Sequence, residues 1–440
     1  MLLVALSAPG RVAAQDADAA GARSTGLPGS ADWMFHFDAG WGSFGFANSL
    51  YTDPKQDAPV DLGDHWFEGF IKPALSGTYT FASSSQLRGQ LSAVGEQTYG
   101  SAPELVGNDF SSFKVEDLSI GWRSGQSIER LGENALEFEV GRAQYTLGHG
   151  MLLWDGAAEG GSRGGYWSNA RKAFAFAAIG RFRHGSHTAE SFYLKKDDLP
   201  EHQTGTRLWG ANYEYRIGEH STIGGTYMKF WATPSVEQRR DGLHVFNARA
   251  YVAPVRALPD LSFEFEYAAE RNADALDANA WTLQGAYELS AAPWKPTFSY
   301  RFAHFDGDDP STSGVEAFDP LLPGFYDWGS WWQGEVAGEY FVGNSNLDSQ
   351  MIRVHVEPSE KLAGGIIVYD FTLPEPGSYA PGVTDRHLAV EAESYVEWKL
   401  NTNFTVTFVG AFANPGKAVQ QSIDRTKNFV YGMVFLAYSY

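Results

Sequence analysis

Residues 429–440 form a segment that a soluble protein would avoid. Val430, Val434, Leu436, Tyr438 and Tyr440 share one face by period two, and that face is apolar and aromatic throughout. The opposite face, with Tyr431, Met433 and Phe435, is uncharged. An exposed apolar strand of this kind aggregates unless both of its edges are paired. A closed barrel pairs them, and lipid then covers the apolar face. The segment therefore predicts a membrane-spanning β-barrel. Phe429–Tyr440 is its closing strand and the stretch that outer-membrane barrel-assembly machinery would read. As that strand, it should pair with residues 404–412 on one side and 33–46 on the other.

The rest of the chain fits this reading. Segments of about ten alternating residues recur from Trp33 onward, such as Leu261, Phe263, Phe265 and Tyr267 interleaved with Ser262, Glu264 and Glu266. The gaps between segments alternate in length. Short ones fall near 83–85, 184–186, 217–220 and 401–403, and long ones near 49–63, 99–112, 146–172, 197–205, 306–346, 374–384 and 414–428. Short periplasmic turns and long extracellular loops produce this alternation. The fold class is thus all-β, a transmembrane antiparallel barrel of roughly 18 strands. Aromatic residues at 15% and 48 glycines suit strands with aromatic girdles and tight turns. No apolar run approaches the ~18 residues that a spanning helix needs.

The domain reading has three parts. Residues 1–14 resemble an export signal, with an apolar run at 2–8 and the small residues Val12, Ala13 and Ala14, though no Lys or Arg precedes the run. Residues 15–32 are a flexible lead-in, and residues 33–440 a single barrel. The absence of cysteine excludes disulfides and thiolate metal sites, and a net charge of −20 argues against nucleic-acid binding.

Charge on strands must face the lumen, because Lys or Arg toward lipid at the midplane costs roughly 2–4 kcal/mol. Parity places Lys72, Arg88, Arg123, Arg181, Arg183 and Lys196 inward. It does the same for Arg216, Arg249, Arg301, Arg353 and Lys399. Inward acids include Glu96, Asp117, Glu139, Glu214, Glu264, Glu266, Glu391 and Glu393. Arg142 shares the parity of lipid-facing Val140, so it reaches the lumen only if Gly141 bulges. Convergent arginines would select anions, and scattered Arg–Glu pairs would make a general hydrated wall.

Two segments are more distinctive than the strands. One is Glu139-Val140-Gly141-Arg142-Ala143-Gln144-Tyr145-Thr146-Leu147-Gly148, which leads into a glycine-rich loop through Gly161, Arg163, Gly164, Gly165, Tyr166 and Trp167. The other runs from Phe318 through Asp319, Pro320, Gly324, Phe325, Tyr326 and Trp328 to Trp331 and Trp332. With the terminal strand and the strand count, they resemble the alginate-export family of outer-membrane porins. The resemblance implies an 18-stranded monomeric barrel with loops folded into the pore, and passage of an anionic uronate polysaccharide past Arg and Lys. The family's Gly-Arg-Gln run reads Gly141-Arg142-Ala143 here.

Phe325, Tyr326, Trp328, Trp331 and Trp332 would offer flat faces to sugar rings if their loop folds into the barrel mouth; otherwise the loop packs externally on its own aromatics. Asp306-Gly307-Asp308-Asp309 lacks the spacing of a calcium loop and reads as a solvated acidic turn. The histidines form no metal set, no cofactor motif occurs, and no Gly-x-Ser-x-Gly elbow is present. The expected function is non-enzymatic. It is a channel in the outer membrane of a Gram-negative bacterium for an anionic saccharide or similar acidic solute, by passive diffusion, with outer-membrane lipid around a monomer. The alternatives are a differently selective porin, a plugged adhesive or structural barrel, and a rim-site hydrolase.

Overall fold

In the computed structural model, residues 29–440 are described except 49–64, 101–108, 159, 254–257, 259, 274, 325–333, 337–342 and 425. Eighteen strands form one sheet. They are β1 (Ala31–Ala47), β2 (His65–Thr80), β3 (Gln86–Gly100), β4 (Phe110–Arg123), β5 (Leu136–Ala143), β6 (Phe174–His184), β7 (His187–Lys195), β8 (Arg207–Ile217) and β9 (Ser221–Trp231) in the first half. The second half has β10 (His244–Val252), β11 (Leu261–Asn272), β12 (Leu276–Glu288), β13 (Thr297–Phe305), β14 (Leu347–Ser359), β15 (Leu362–Thr372), β16 (His387–Lys399), β17 (Phe404–Pro415) and β18 (Phe429–Ser439). Each strand pairs antiparallel with its chain neighbours, and β1 pairs β18. The sheet is therefore closed, and every strand has partners on both edges.

The seam forms where the terminal segment places it. Val434 lies opposite Ser43 on β1 and Phe408 on β17. Beyond the end of β18, Phe37 and Tyr440 exchange two backbone hydrogen bonds of 3.0 Å each. The first strand begins at Ala31, two residues before the expected Trp33.

Alternation sets the two faces. Ile71, Ile120, Phe138, Val140, Ile352, Ile366 and Val434 are exposed on the outside. Their sequence neighbours Lys72, Glu137, Ile367, Met433 and Phe435 are buried on the inside. An apolar exterior of this extent is stable only in lipid, and a closed antiparallel barrel with an even strand number is the outer-membrane solution. The protein is thus an outer-membrane barrel. Connections alternate between one end and the other, short at 81–85, 185–186, 218–220, 360–361 and 400–403. Others depart from that rhythm, among them 253–260 and 289–296, eight residues each on the short-turn end. The hairpin at 273–275 is short on the long-loop end, and 124–135 is long on the short-turn end. In the latter, Ser124 caps the strand end through Leu136 N–H, and Asn134 N–H bonds Gly125 C=O.

Candidate functional site

The barrel interior is built around two long loops that fold inward. The first leaves β5 at Ala143. Tyr145 packs on Phe192 with ring centroids 4.5 Å apart and donates its hydroxyl to Glu190 at 3.2 Å. The tip then crosses to β10 and β11. There His149 stacks on Tyr251 at 4.1 Å and its Nδ1 lies 3.2 Å from Glu264 Oε2. Gly148 has φ +57°, and a Cβ there would sit 2.7 Å from the Tyr251 hydroxyl, so the tip approaches the wall as closely as only glycine permits.

The return path is held by buried wall carboxylates. Glu68 accepts the backbone N–H of Trp167 and Ser168, and Glu96 that of Ala170. Glu116 accepts those of Lys172 and Ala173 at 2.7 and 2.8 Å. Lys72, fully buried, donates to Ala170 C=O and lies 3.7 Å from Glu116 and 3.8 Å from Asp117. Hydrogen bonds to a charged acceptor contribute about 1.5–3 kcal/mol each, so this row of acids stabilises the inward path.

The second loop follows β13. Arg240 binds the Asp319 carboxylate in a two-pronged pair, and Asp319 N–H bonds Glu270 at 2.8 Å. Phe318 packs on Phe305. Leu322 then joins the first loop: its N–H bonds Leu152 C=O at 3.1 Å, and Trp154 N–H bonds its C=O at 2.8 Å. Leu152, Leu153, Leu321 and Leu322 are buried at this junction. Gly324 lies against the Trp154 indole, where a Cβ would collide with the ring. Farther on, Glu335 and Val336 N–H groups bond Glu393 and Glu391 of β16. The segment from Phe318 to Gly324 thus follows the inward path. The aromatics Phe325, Tyr326, Trp328, Trp331 and Trp332 lie outside the described residues.

Seven of the arginines gather on one wall, at two heights. Near the short-turn end, Glu137 is ringed by Arg183 (2.8 Å), Arg123 (3.3 Å), Arg88 (3.4 Å) and Arg181 (3.6 Å). Register explains the convergence, since Arg123, Glu137 and Arg181 lie directly opposite one another on β4, β5 and β6. The acid is hidden, with its side chain 5% exposed, while Arg88 and Arg183 are 33% and 43% exposed. The water-facing surface of this node is guanidinium.

The second node sits at the long-loop end, about 16 Å farther along β5 at ~3.3 Å per residue. Asp197 pairs with Arg142 (2.8 Å), Arg163 (3.3 Å) and Arg171 (2.5 Å). Burial pushes the Asp197 carboxyl up, but the hydrogen bond from Arg142 and the charges of the three arginines outweigh it and hold it below the usual carboxylate range. Arg142 arrives by the bulge that parity required: Gly141 has φ +132°, and the β5–β6 register shifts between Gly141 and Ala143. Arg163 and Arg171 are loop residues that strand parity could not reach. Nearby, Lys172 Nζ lies 3.2 Å from the Trp154 ring centroid, and burial pushes Asp155 up to about 6 against the opposing charge of Lys172.

Other inward cations serve different ends. Arg249 binds Thr226, Asn247, Asn212 and Glu214 in a buried network across β8–β10. Arg353 donates to the Tyr395 hydroxyl at 3.0 and 3.2 Å. Arg301 is buried on the inner face of β13. Lys196 sits just past β7, 3.8 Å from Asp198, and burial lowers its pKa, helped by Arg240. Arg216 and Lys399 are exposed at the short-turn rim. Of the acidic turn, Asp306 contacts His304 and Asp309 caps Ser311 N–H. Among the described residues no His and carboxylate group is arranged to hold a metal.

No protein-family profile matches the chain, and no curated relative does. Solved structures match over almost its full length. The Pseudomonas aeruginosa porin OccK5 (OpdH) is 11% identical, covering 93% of this chain and 98% of its own, with a TM-score of 0.60. OccK2 (OpdF) from the same organism, in complex with glucuronate, is 13% identical over 93% and 96%, with a TM-score of 0.57. OpdK with vanillate, also from that organism, is 12% identical over 92% and 98%, with a TM-score of 0.56. The chain shares their fold, that of 18-stranded outer-membrane porins.

Proposed function

We propose that the protein is a passive outer-membrane channel for a small acidic solute of about the size of a sugar acid. The observation that carries this reading is the Glu137 node, where exposed guanidinium groups surround a hidden carboxylate. A planar guanidinium offers paired donors to a carboxylate, and several at one height let a solute exchange partners without leaving the wall. The Asp197 node gathers three less exposed arginines nearer the other mouth, of which Arg142, 21% exposed, offers a second station on the path. Passage requires no chemical step.

Glucuronate and vanillate, bound in two structures of the same fold, are both carboxylate anions. The resemblance to alginate-export porins points to the same class of charge. However, the junction of Leu152–Trp154 with Leu322 crosses the lumen, which favours a single small acid over a polymer chain.

The test is a reversal potential across a planar bilayer under a salt gradient. Anion preference is expected. Replacing Arg88, Arg123 and Arg183 by Gln should move the potential toward that of a non-selective pore. Cation preference in the wild-type protein would overturn the proposal, and a folded sample without conductance would identify a plugged barrel instead.

A further inference from the structure

The outer face carries a feature that neither the lumen nor barrel closure uses. On β7–β9 the lipid-facing parity ends, at the long-loop end, in Lys195, Arg207 and Lys229. Phe192 and Leu194, Leu208 and Gly210, and Met228 and Phe230 on the alternate positions are buried inside, which fixes the direction of the three cations. Lys195 and Arg207 lie directly opposite each other in the β7–β8 register. Arg207 is opposite Trp231, so Lys229 is its diagonal neighbour.

Like charges directly opposite on one sheet face destabilise the pair, whereas an opposite charge there would stabilise it. Among the described residues, Lys195, Arg207 and Lys229 have no carboxylate within ion-pair distance. The patch ends at Arg271, which Asp277 neutralises at 3.0 Å. On the other side of the barrel, outward polar groups at this height stand beside one another, Asp348 by His304 and Asp370 by His387.

Below the cations lies an aromatic belt. Trp209 is opposite Lys229, Tyr227 stacks edge-on to Trp209, and Phe246 packs on Tyr227. Lys229 Nζ is 5.7 Å from the Trp231 ring centroid. Aromatic belts mark the membrane interface, so the three cations stand at the level of lipid headgroups. Long loops lie on the cell exterior in such barrels, which makes this the outer leaflet.

We infer that Lys195, Arg207 and Lys229 form a binding site for the phosphorylated headgroup of an outer-leaflet glycolipid. Charge complementarity selects this occupant: three cations without acids, at headgroup height, above aromatics that contact acyl chains and sugar rings. Phosphate brings several acceptor oxygens, and a basic side chain near an anionic lipid surface contributes appreciably to binding. The inference concerns the exterior and is independent of which solute the lumen passes.

Native mass spectrometry of the detergent-purified barrel tests it, using a diphosphorylated disaccharide glycolipid and the same lipid with its phosphates removed. The phosphorylated form should be retained about tenfold more strongly. The combined variant K195Q/R207Q/K229Q should lose that preference while keeping wild-type conductance, since none of the three faces the lumen. Equal retention of both lipids by the wild-type barrel would overturn the inference. So would an undiminished preference in a variant that conducts normally.

Discussion

Single residues decide where charge can stand in this barrel, and Gly141 is the plainest case. Its φ of +132° is open to glycine alone, and a Cβ there would lie 2.2 Å from Leu118 C=O. The bulge it permits turns Arg142 from the lipid face to Asp197. Sequence parity exposes the conflict at Arg142 and names the glycine that resolves it, but not the Asp197 partner, which sits on a loop without period. Gly141→Val should therefore lower the yield of folded barrel, read as the heat-modifiable band on a gel, and any folded fraction should keep the anion preference set at the Glu137 node while losing the Arg142–Asp197 pair. Asp155 yields a pH prediction. Its carboxyl is raised from 3.8 to about 6, so the folded state favours the protonated form. The sign follows: this contribution is full below about pH 4 and is lost as pH rises through about 6. The limit is about 3 kcal/mol, reduced by partial exposure. The melting temperature in detergent should fall between pH 4.5 and pH 7 more for the wild-type protein than for Asp155→Asn.

At the scale of elements, strands and loops were legible to very different degrees. Alternation with period two marks the strands, because lipid and lumen impose opposite chemistry on successive residues. Loops carry no such imposition. The expected long gap at 306–346 is present, yet its inward path depends on Arg240 meeting Asp319 and on Glu270, which lies on another strand. The wall acids show the same limit. Parity turned Glu96, Glu391 and Glu393 inward, as partners or neutralisers of the arginines. They also accept backbone N–H groups of loop residues. A buried carboxylate can serve an arginine or an amide equally well, and only the folded loop decides. Arg240→Ala leaves Asp319 without its paired donor beside Glu270, so the second loop should leave the junction with Leu152–Trp154. Single-channel conductance should rise, and anion preference should persist because the Glu137 node is untouched. Unchanged conductance would show that this loop does not narrow the path.

For the whole molecule, closure is the property that most depends on sequence at one place, the seam of β18 with β1. Two substitutions there separate folding from delivery. Val434 faces lipid and pairs with Ser43 and Phe408, so Val434→Pro removes a ladder donor from a strand bonded on both edges. That breaks the ladder within a central strand, where proline is essentially never tolerated, and leaves two edges open, so the variant should fail to close even when refolded into detergent micelles. Tyr440 is 68% exposed and contributes to the seam through its backbone, whose N–H and C=O bond Phe37. Tyr440→Asp preserves those bonds and changes only the side chain. It should refold in micelles with the wild-type heat-modifiable shift, yet accumulate poorly in the outer membrane of cells, where the aromatic end of Phe429–Tyr440 is what the assembly machinery would engage. Equal accumulation of Tyr440→Asp and wild-type protein in cells would confine the role of this strand to the seam itself. Failure of Tyr440→Asp in micelles would mean that its ring stabilises closure directly, as the edge-on contact of Phe37 with Tyr438 already does one step along the strand.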